Sequence, residues 1–210
     1  WNFAGNNAVV TPDNPAVDVH GTQVAGLLAA RVDNATGVTG VAGRVKILAE
    51  KVVSGGTLTS LTLARAAAYA VARGAKIITN STNIDPLVND PVFCAAVEFA
   101  YDRGVLWVNS AGNGNTADPP RVAVEQMLLV AATDRFDHKE SYSNFGRGID
   151  ISAPGGGAAD GLLTTVPVRA GSYGFAYGTS MAAPIVAGAA ALIWAAHPGY
   201  TRDQVVSRLE

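Results

Sequence analysis

Three short segments of this 210-residue chain carry side chains able to do chemistry, and each also has an ordinary structural reading. Val19-His20-Gly21-Thr22-Gln23-Val24-Ala25-Gly26 sets an imidazole, which titrates near neutral pH and can pass a proton, at the mouth of a helix of small residues. With Asp18 close by, the same histidine also fits a surface or capping position. Val108-Asn109-Ser110-Ala111-Gly112-Asn113-Gly114-Asn115 runs a strand into a Gly-rich turn. Asn and Gly tolerate positive φ, so turn chemistry alone accounts for the composition. An amide donor fixed at a strand end also suits a developing oxyanion. Tyr177-Gly178-Thr179-Ser180-Met181-Ala182-Ala183-Pro184 opens a long apolar helix with a serine. That serine can be a helix cap, worth on the order of 1 kcal/mol, but Pro184 near the first turn and the small residues at 182 and 183 suit a helix start buried close to other groups. Ala182 stands where the Gly-x-Ser-x-Gly nucleophile turn of the α/β-hydrolases needs glycine, which excludes that architecture.

Groups so far apart in sequence need a scaffold, and helical and strand patterns alternate along the chain. Alternation of this kind favours a parallel sheet flanked by helices. Helices are expected over residues 20–30, 61–72 (stopped by Gly74), 91–102 (closed by Gly104), 179–196 and 200–209, the last started by the capping residue Thr201. Strands are expected over 45–53, 76–79, 105–110 and 127–133. The glycines at 155–157 and 171–174 bracket a hairpin.

Composition removes several functional classes. Hydrophobic residues make up 49% and charged residues 15%, enough apolar surface to offset the entropy of ordering, so the chain folds, and its length suits one domain over residues 1–210. With 15 basic against 17 acidic residues and no basic run, it lacks the phosphate-neutralising patch that nucleic acid requires. The single Cys94 forbids an intrachain disulfide and reads as inert core. Residues 181–196, interrupted by Pro184 and Gly188, fall short of a bilayer span and read as a buried core helix, so no membrane partner is expected. Three dispersed histidines provide no catalytic metal cluster, and His138 and His197 read as structural. Glycines 37, 40 and 43 have the wrong spacing for a dinucleotide fingerprint.

Taken in this order, the three segments resemble the histidine, asparagine and serine motifs of the subtilisin-like serine proteases, and the resemblance runs over nearly the whole chain. Ser141-Tyr142-Ser143-Asn144-Phe145-Gly146, followed by Asp150-Ile151-Ser152-Ala153-Pro154-Gly155, is similar to a linking segment of that family, and Gly37-Val38-Thr39-Gly40-Val41-Ala42 matches the stretch after the histidine helix. The resemblance implies a three-layer α/β fold, a mostly parallel sheet flanked by helices. It also implies a serine endopeptidase working by covalent acyl transfer. Ser180 would be the nucleophile, and His20 the general base that later protonates the leaving amine. The Asn113 carboxamide and the Ser180 N–H would hold the oxyanion. Peptide or protein substrates would pair with extended edges, here Ser54-Gly55-Gly56 and Ser81-Thr82-Asn83, with no cofactor needed for the chemistry. Asn83 departs from the family's usual glycine, and with Thr82 it would narrow or polarise the pocket before the cut. Secretion is implied by the family.

The largest departure concerns the carboxylate behind the histidine. The family carries an aspartate, in an Asp-Ser-Gly or Asp-Thr-Gly run on an early strand, before its histidine. Only Asp13 and Asp18 precede His20; neither follows an apolar strand, and Asp18 reads as a helix cap. A sheet lacking a central strand exposes unpaired backbone and an apolar face. An N-terminal piece of the same precursor, bound without a peptide link at Trp1, is therefore expected to supply the aspartate. The chain reads as trimmed at that end and as ending early at Glu210. The rival reading is a peptide-binding pseudoprotease lacking that charge. The loop Asp33-Asn34-Ala35-Thr36-Gly37-Val38 resembles one that binds structural calcium through the Asn34 side chain and the Thr36 and Val38 carbonyls, with a polar turn as the alternative.

Overall fold

The computed structural model describes residues 1–16, 18–120 and 126–210. Four parallel strands, β1 (Ile77–Asn80), β2 (Leu106–Ser110), β3 (Met127–Thr133) and β4 (Ile151–Pro154), form one sheet in the order β1-β2-β3-β4. Every residue of β2 is buried, and so is β3 up to Ala132. Near-continuous apolar runs of this kind are what strands covered by helices on both faces require.

Side chains of β2 alternate between the two faces. Trp107 joins Met127 and Leu129 against Leu63 and Ala67 of α2 (Ser60–Ala72) and Phe93 and Val97 of α3 (Pro91–Asp102). Leu106 and Val108 join Leu128 and Val130 against Ala183, Val186, Ala187 and Ala190 of α4 (Thr179–Ala196) and Val205 of α5 (Arg202–Leu209). The result is the expected three-layer α/β arrangement. By length and composition α4 could cross a membrane, but it lies across all four strands with ten residues buried, as a core helix. Helix starts follow local chemistry. Thr59 with Thr62 and Thr201 with Gln204 form capping boxes, and Asp90 accepts from Val92 N–H and Phe93 N–H ahead of Pro91.

Two smaller elements complete the frame. The helix α1 (His20–Ala29) packs on α4, and the antiparallel hairpin of β5 (Leu162–Thr165) and β6 (Tyr173–Ala176) packs on α1. Gly26 permits the second contact, because a Cβ there would collide with Thr165 Oγ1.

The expected strand over 45–53 does not form. Its later residues pair briefly with the N-terminus: Trp1 N donates to the Ala49 carbonyl, Lys51 N to Trp1 O and Phe3 N to Lys51 O. Val45, Ile47 and Leu48 remain 36–49% exposed, with no ladder partner among the described residues. A β-pattern becomes a strand only when another strand lies alongside. In the same stretch the Glu50 carboxyl has its Oε1 buried without a hydrogen-bond partner among the described residues, and desolvation pushes it up to about 7. The strand β4, which sequence reasoning left as a linking segment, pairs with β3 from Val130 to Thr133.

Candidate active site

The start of α4 is held by the loop after β2. Gly178, at φ +131°, is the residue before the helix, and Thr179 is fully buried. Thr179 donates to Asn113 Oδ1 twice, from its N–H at 2.9 Å and its hydroxyl at 3.0 Å, and Gly112 N–H donates to Thr179 Oγ1 at 3.1 Å. Two donors on one amide oxygen decide which way the Asn113 carboxamide faces. Its Nδ2 is left as the outward donor. A Cβ added at Gly178 would lie 3.6 Å from both Asn113 Nδ2 and Asn113 Oδ1 and 3.8 Å from Ser180 N, so the Asn113 amide and the Ser180 N–H group lie close together at the N-terminus of an 18-residue helix. The N-terminus of a helix of this length favours a nearby anion through its dipole.

At that N-terminus, Ser180 faces the end of β1. Its hydroxyl donates to the Ser81 carbonyl at 3.2 Å, and the Ser81 hydroxyl donates back to the Ser180 carbonyl at 2.9 Å. The other residues expected to bind substrate lie on two loops. Thr82 donates to Asn80 Oδ1 at 3.0 Å. Asn83 Oδ1 accepts from Asp85 N–H at 3.0 Å, a local bond just ahead of the short turn at Asp85–Leu87. Ser54-Gly55-Gly56 form a tight turn closed by backbone bonds between Ser54 and Thr57, with both glycines at positive φ and open space around them.

His20 is the first residue of α1. The expected cap by Asp18 is not found: the capping position is Val19, with no side-chain bond to the helix. The helix is anchored further on, where Thr165 and Thr164 hydroxyls donate to the Thr22 and Gln23 carbonyls at 2.9 and 2.8 Å. Crowding around the imidazole holds it below the ordinary histidine range, against the opposing charge of Asp18, while the residue as a whole keeps an exposed rim. Among the described residues no hydrogen bond reaches either ring nitrogen. The structure thus brings Asn113, Ser180 and Ser81 into one cluster and carries His20 on the helix packed against α4.

Residues 1–210 match the peptidase S8 subtilase family. The chain belongs to the subtilase family. It is 37% identical over 195 residues to thermitase of Thermoactinomyces vulgaris, covering 92% of this chain and 66% of thermitase. It is 38% identical over 176 residues to a thermophilic serine proteinase of Bacillus sp. (strain AK1), covering 83% of this chain and 42% of that protein. A cell wall-associated protease of Bacillus subtilis (strain 168) is 35% identical over 211 residues, 100% of this chain and 22% of the relative. The chain thus spans less than two thirds of the length of these relatives. Among solved structures, the S41 psychrophilic protease superposes with a TM-score of 0.81 at 27% identity, over 99% of this chain and 73% of that one.

Several residues that hold the loops around Asn113 and Gly178 were not singled out from sequence. Asn144, almost fully buried, donates to Ala111 O at 2.7 Å and accepts from Gly114 N–H and Thr116 N–H at 3.1 and 2.9 Å, fixing both sides of Asn113. Tyr142 donates to Gly156 O at 2.6 Å and accepts from Gly178 N–H at 3.1 Å; burial pushes its phenol up to about 12. The signal was a run of polar side chains, Tyr142-Ser143-Asn144, inside a segment read only as a link.

The loop that resembles a calcium site is held by local bonds. Asn34 Oδ1 accepts from Thr36 N–H at 3.1 Å, and Asp33 pairs with Arg44 at 3.0 Å. No group of three His, Cys, Asp or Glu side chains is placed to hold a metal among the described residues.

Proposed function

We propose that this subtilase domain is a serine endopeptidase with Ser180 as nucleophile. The observation that carries the reading is that the Asn113 amide, bonded to Thr179, lies close to the backbone N of Ser180 at the N-terminus of α4. When a peptide carbonyl enters, Ser180 Oγ leaves its contact with Ser81 O and bonds to the carbonyl carbon as His20 takes its proton. The carbonyl oxygen becomes the oxyanion between the two donors, which act strongly because they are fixed before the charge develops. The C–N bond then breaks, the imidazolium gives its proton to the leaving amine, and water repeats the sequence on the acyl-enzyme. The holding of His20 below the ordinary histidine range favours the neutral base this requires. The loops at Ser54-Gly55-Gly56 and Ser81-Thr82-Asn83 bind the peptide backbone.

A carboxylate to orient His20 comes, in this proposal, from a strand outside residues 1–210, an N-terminal piece of the same precursor. Supporting this, β1 is an edge strand, only partly buried over Ile77–Thr79, and the β-patterned Val45, Ile47 and Leu48 lack a ladder partner among the described residues. The names of relatives, a cell wall-associated protease and an extracellular protease of Xanthomonas campestris, support export.

Labelling with a fluorophosphonate tests the activity. Rapid modification at Ser180, abolished in Ser180→Ala, is expected; a folded wild-type chain that takes up no label would make the domain a peptide-binding pseudoprotease. Fluorophosphonate labelling of residues 1–210 with and without an added segment carrying an Asp-Thr-Gly strand tests the strand: faster labelling with the segment is expected, and an unchanged rate refutes it.

A further inference from the structure

We propose that Ser81 is a positioning residue for Ser180, acting through its hydroxyl on the Ser180 carbonyl. Pro184 creates the need for such a partner. In an α-helix each carbonyl accepts from the N–H four residues on, and the residue four beyond Ser180 is a proline. Proline has no N–H, and its ring crowds the carbonyl of residue i−4, turning that carbonyl out of the helix. The nucleophile therefore sits on a residue whose own carbonyl has lost its helical donor, in a partly buried place where an unmade hydrogen bond is costly. Ser81 Oγ supplies the missing donor from 99 residues away, at 2.9 Å, and Ser180 Oγ closes the pair by donating to Ser81 O at 3.2 Å. These reciprocal bonds tie the end of β1 to the first turn of α4, where the Asn113–Thr179 bonds already hold the neighbouring residue to the loop after β2. The first turn is thus fastened to two separate strand ends.

This inference rests on the proposed protease reading, and its test separates the two. The rate of fluorophosphonate labelling at Ser180 is expected to fall about tenfold in Ser81→Ala, the effect of one lost hydrogen bond on a barrier, and to recover in Ser81→Thr, which keeps the hydroxyl. With a peptide substrate the loss should appear in kcat more than in KM. Pro184→Ala restores an N–H four residues beyond Ser180, so Ser81→Ala should cost much less in that background. Equal losses in both backgrounds, or no loss in either, would overturn the proposal. A 13C label in the Ser180 carbonyl gives a readout independent of activity: its chemical shift should move in Ser81→Ala and stay in Ser81→Thr. If the wild type takes no label but the shift moves, the protease reading falls and the positioning role stands. If the wild type labels and the shift does not move, the positioning role falls alone.

Discussion

The two sides of the site are built to different standards. On the serine side, Thr179, Asn113, Gly112, Asn144 and Tyr142 interlock through hydrogen bonds of 2.6–3.1 Å, and Thr179 and Asn144 are almost wholly buried. On the histidine side, the helix begins without a side-chain cap, and His20 is exposed with no hydrogen-bond partner on its ring among the described residues. The contrast shows which half of the chemistry is preorganised. Oxyanion donors must be fixed in place before charge develops, and the residues proposed for that role are held by bonds within this chain. A general base must also be oriented, and in the proposed mechanism the orienting group is the part left to a strand outside these residues.

The sharpest way to break the serine side is to remove its outward donor. Loss of one oxyanion-hole asparagine costs a subtilisin roughly 10²–10³ in turnover, and a loss of that order is expected for Asn113→Ala, read as the rate of Ser180 acylation. Melting temperature should fall as well, because the buried Thr179 N–H and hydroxyl lose their acceptor. A variant that acylates at the wild-type rate would remove the asparagine from the mechanism.

A smaller effect is expected where the histidine side meets its support. Gly26→Ala would drive a methyl against Thr165 Oγ1 and Thr164 Oγ1 and push α1 away from β5. Overpacking of this kind costs about 1–3 kcal/mol, a fall in Tm of about 2–4 °C per kcal/mol for a domain of this size. Calorimetry checks the loss of stability. If the two sides are as separable as their bonding suggests, the Ser180 carbonyl shift stays at its wild-type value while the labelling rate falls.

How much of this could be read from sequence follows the same division. The helices α3 and α4 and the strand β3 have the bounds expected from periodicity, because caps, Gly stops and apolar runs are local signals. The proposed oxyanion residues were legible as an amide at a strand end and a serine at a helix start. What was not legible depends on distant partners. The stretch 45–53 has the composition of a strand but not its neighbour. Asn144 and Tyr142 act on groups 14–36 residues away, and Ser81 meets Ser180 across 99. Asp18, two residues before the helix, looked like a cap but acts on His20 only through its charge.

That charge gives the smallest predicted effect. Crowding lowers the imidazole's pKa and Asp18 raises it, with crowding the larger influence. The neutral ring is the active base, so the labelling rate should rise with pH through the His20 pKa and level off above it, with the acid limb below the ordinary histidine value of about 6.5. Asp18→Asn removes the group that favours the protonated ring, and the limb should move to still lower pH with the plateau unchanged. Asp18 is exposed, so the separation between the two profiles should shrink as salt is added. A collapse of the plateau would have a different meaning. It would make Asp18 the carboxylate that orients His20, place both halves of the site within this chain, and remove the need for a strand from outside it.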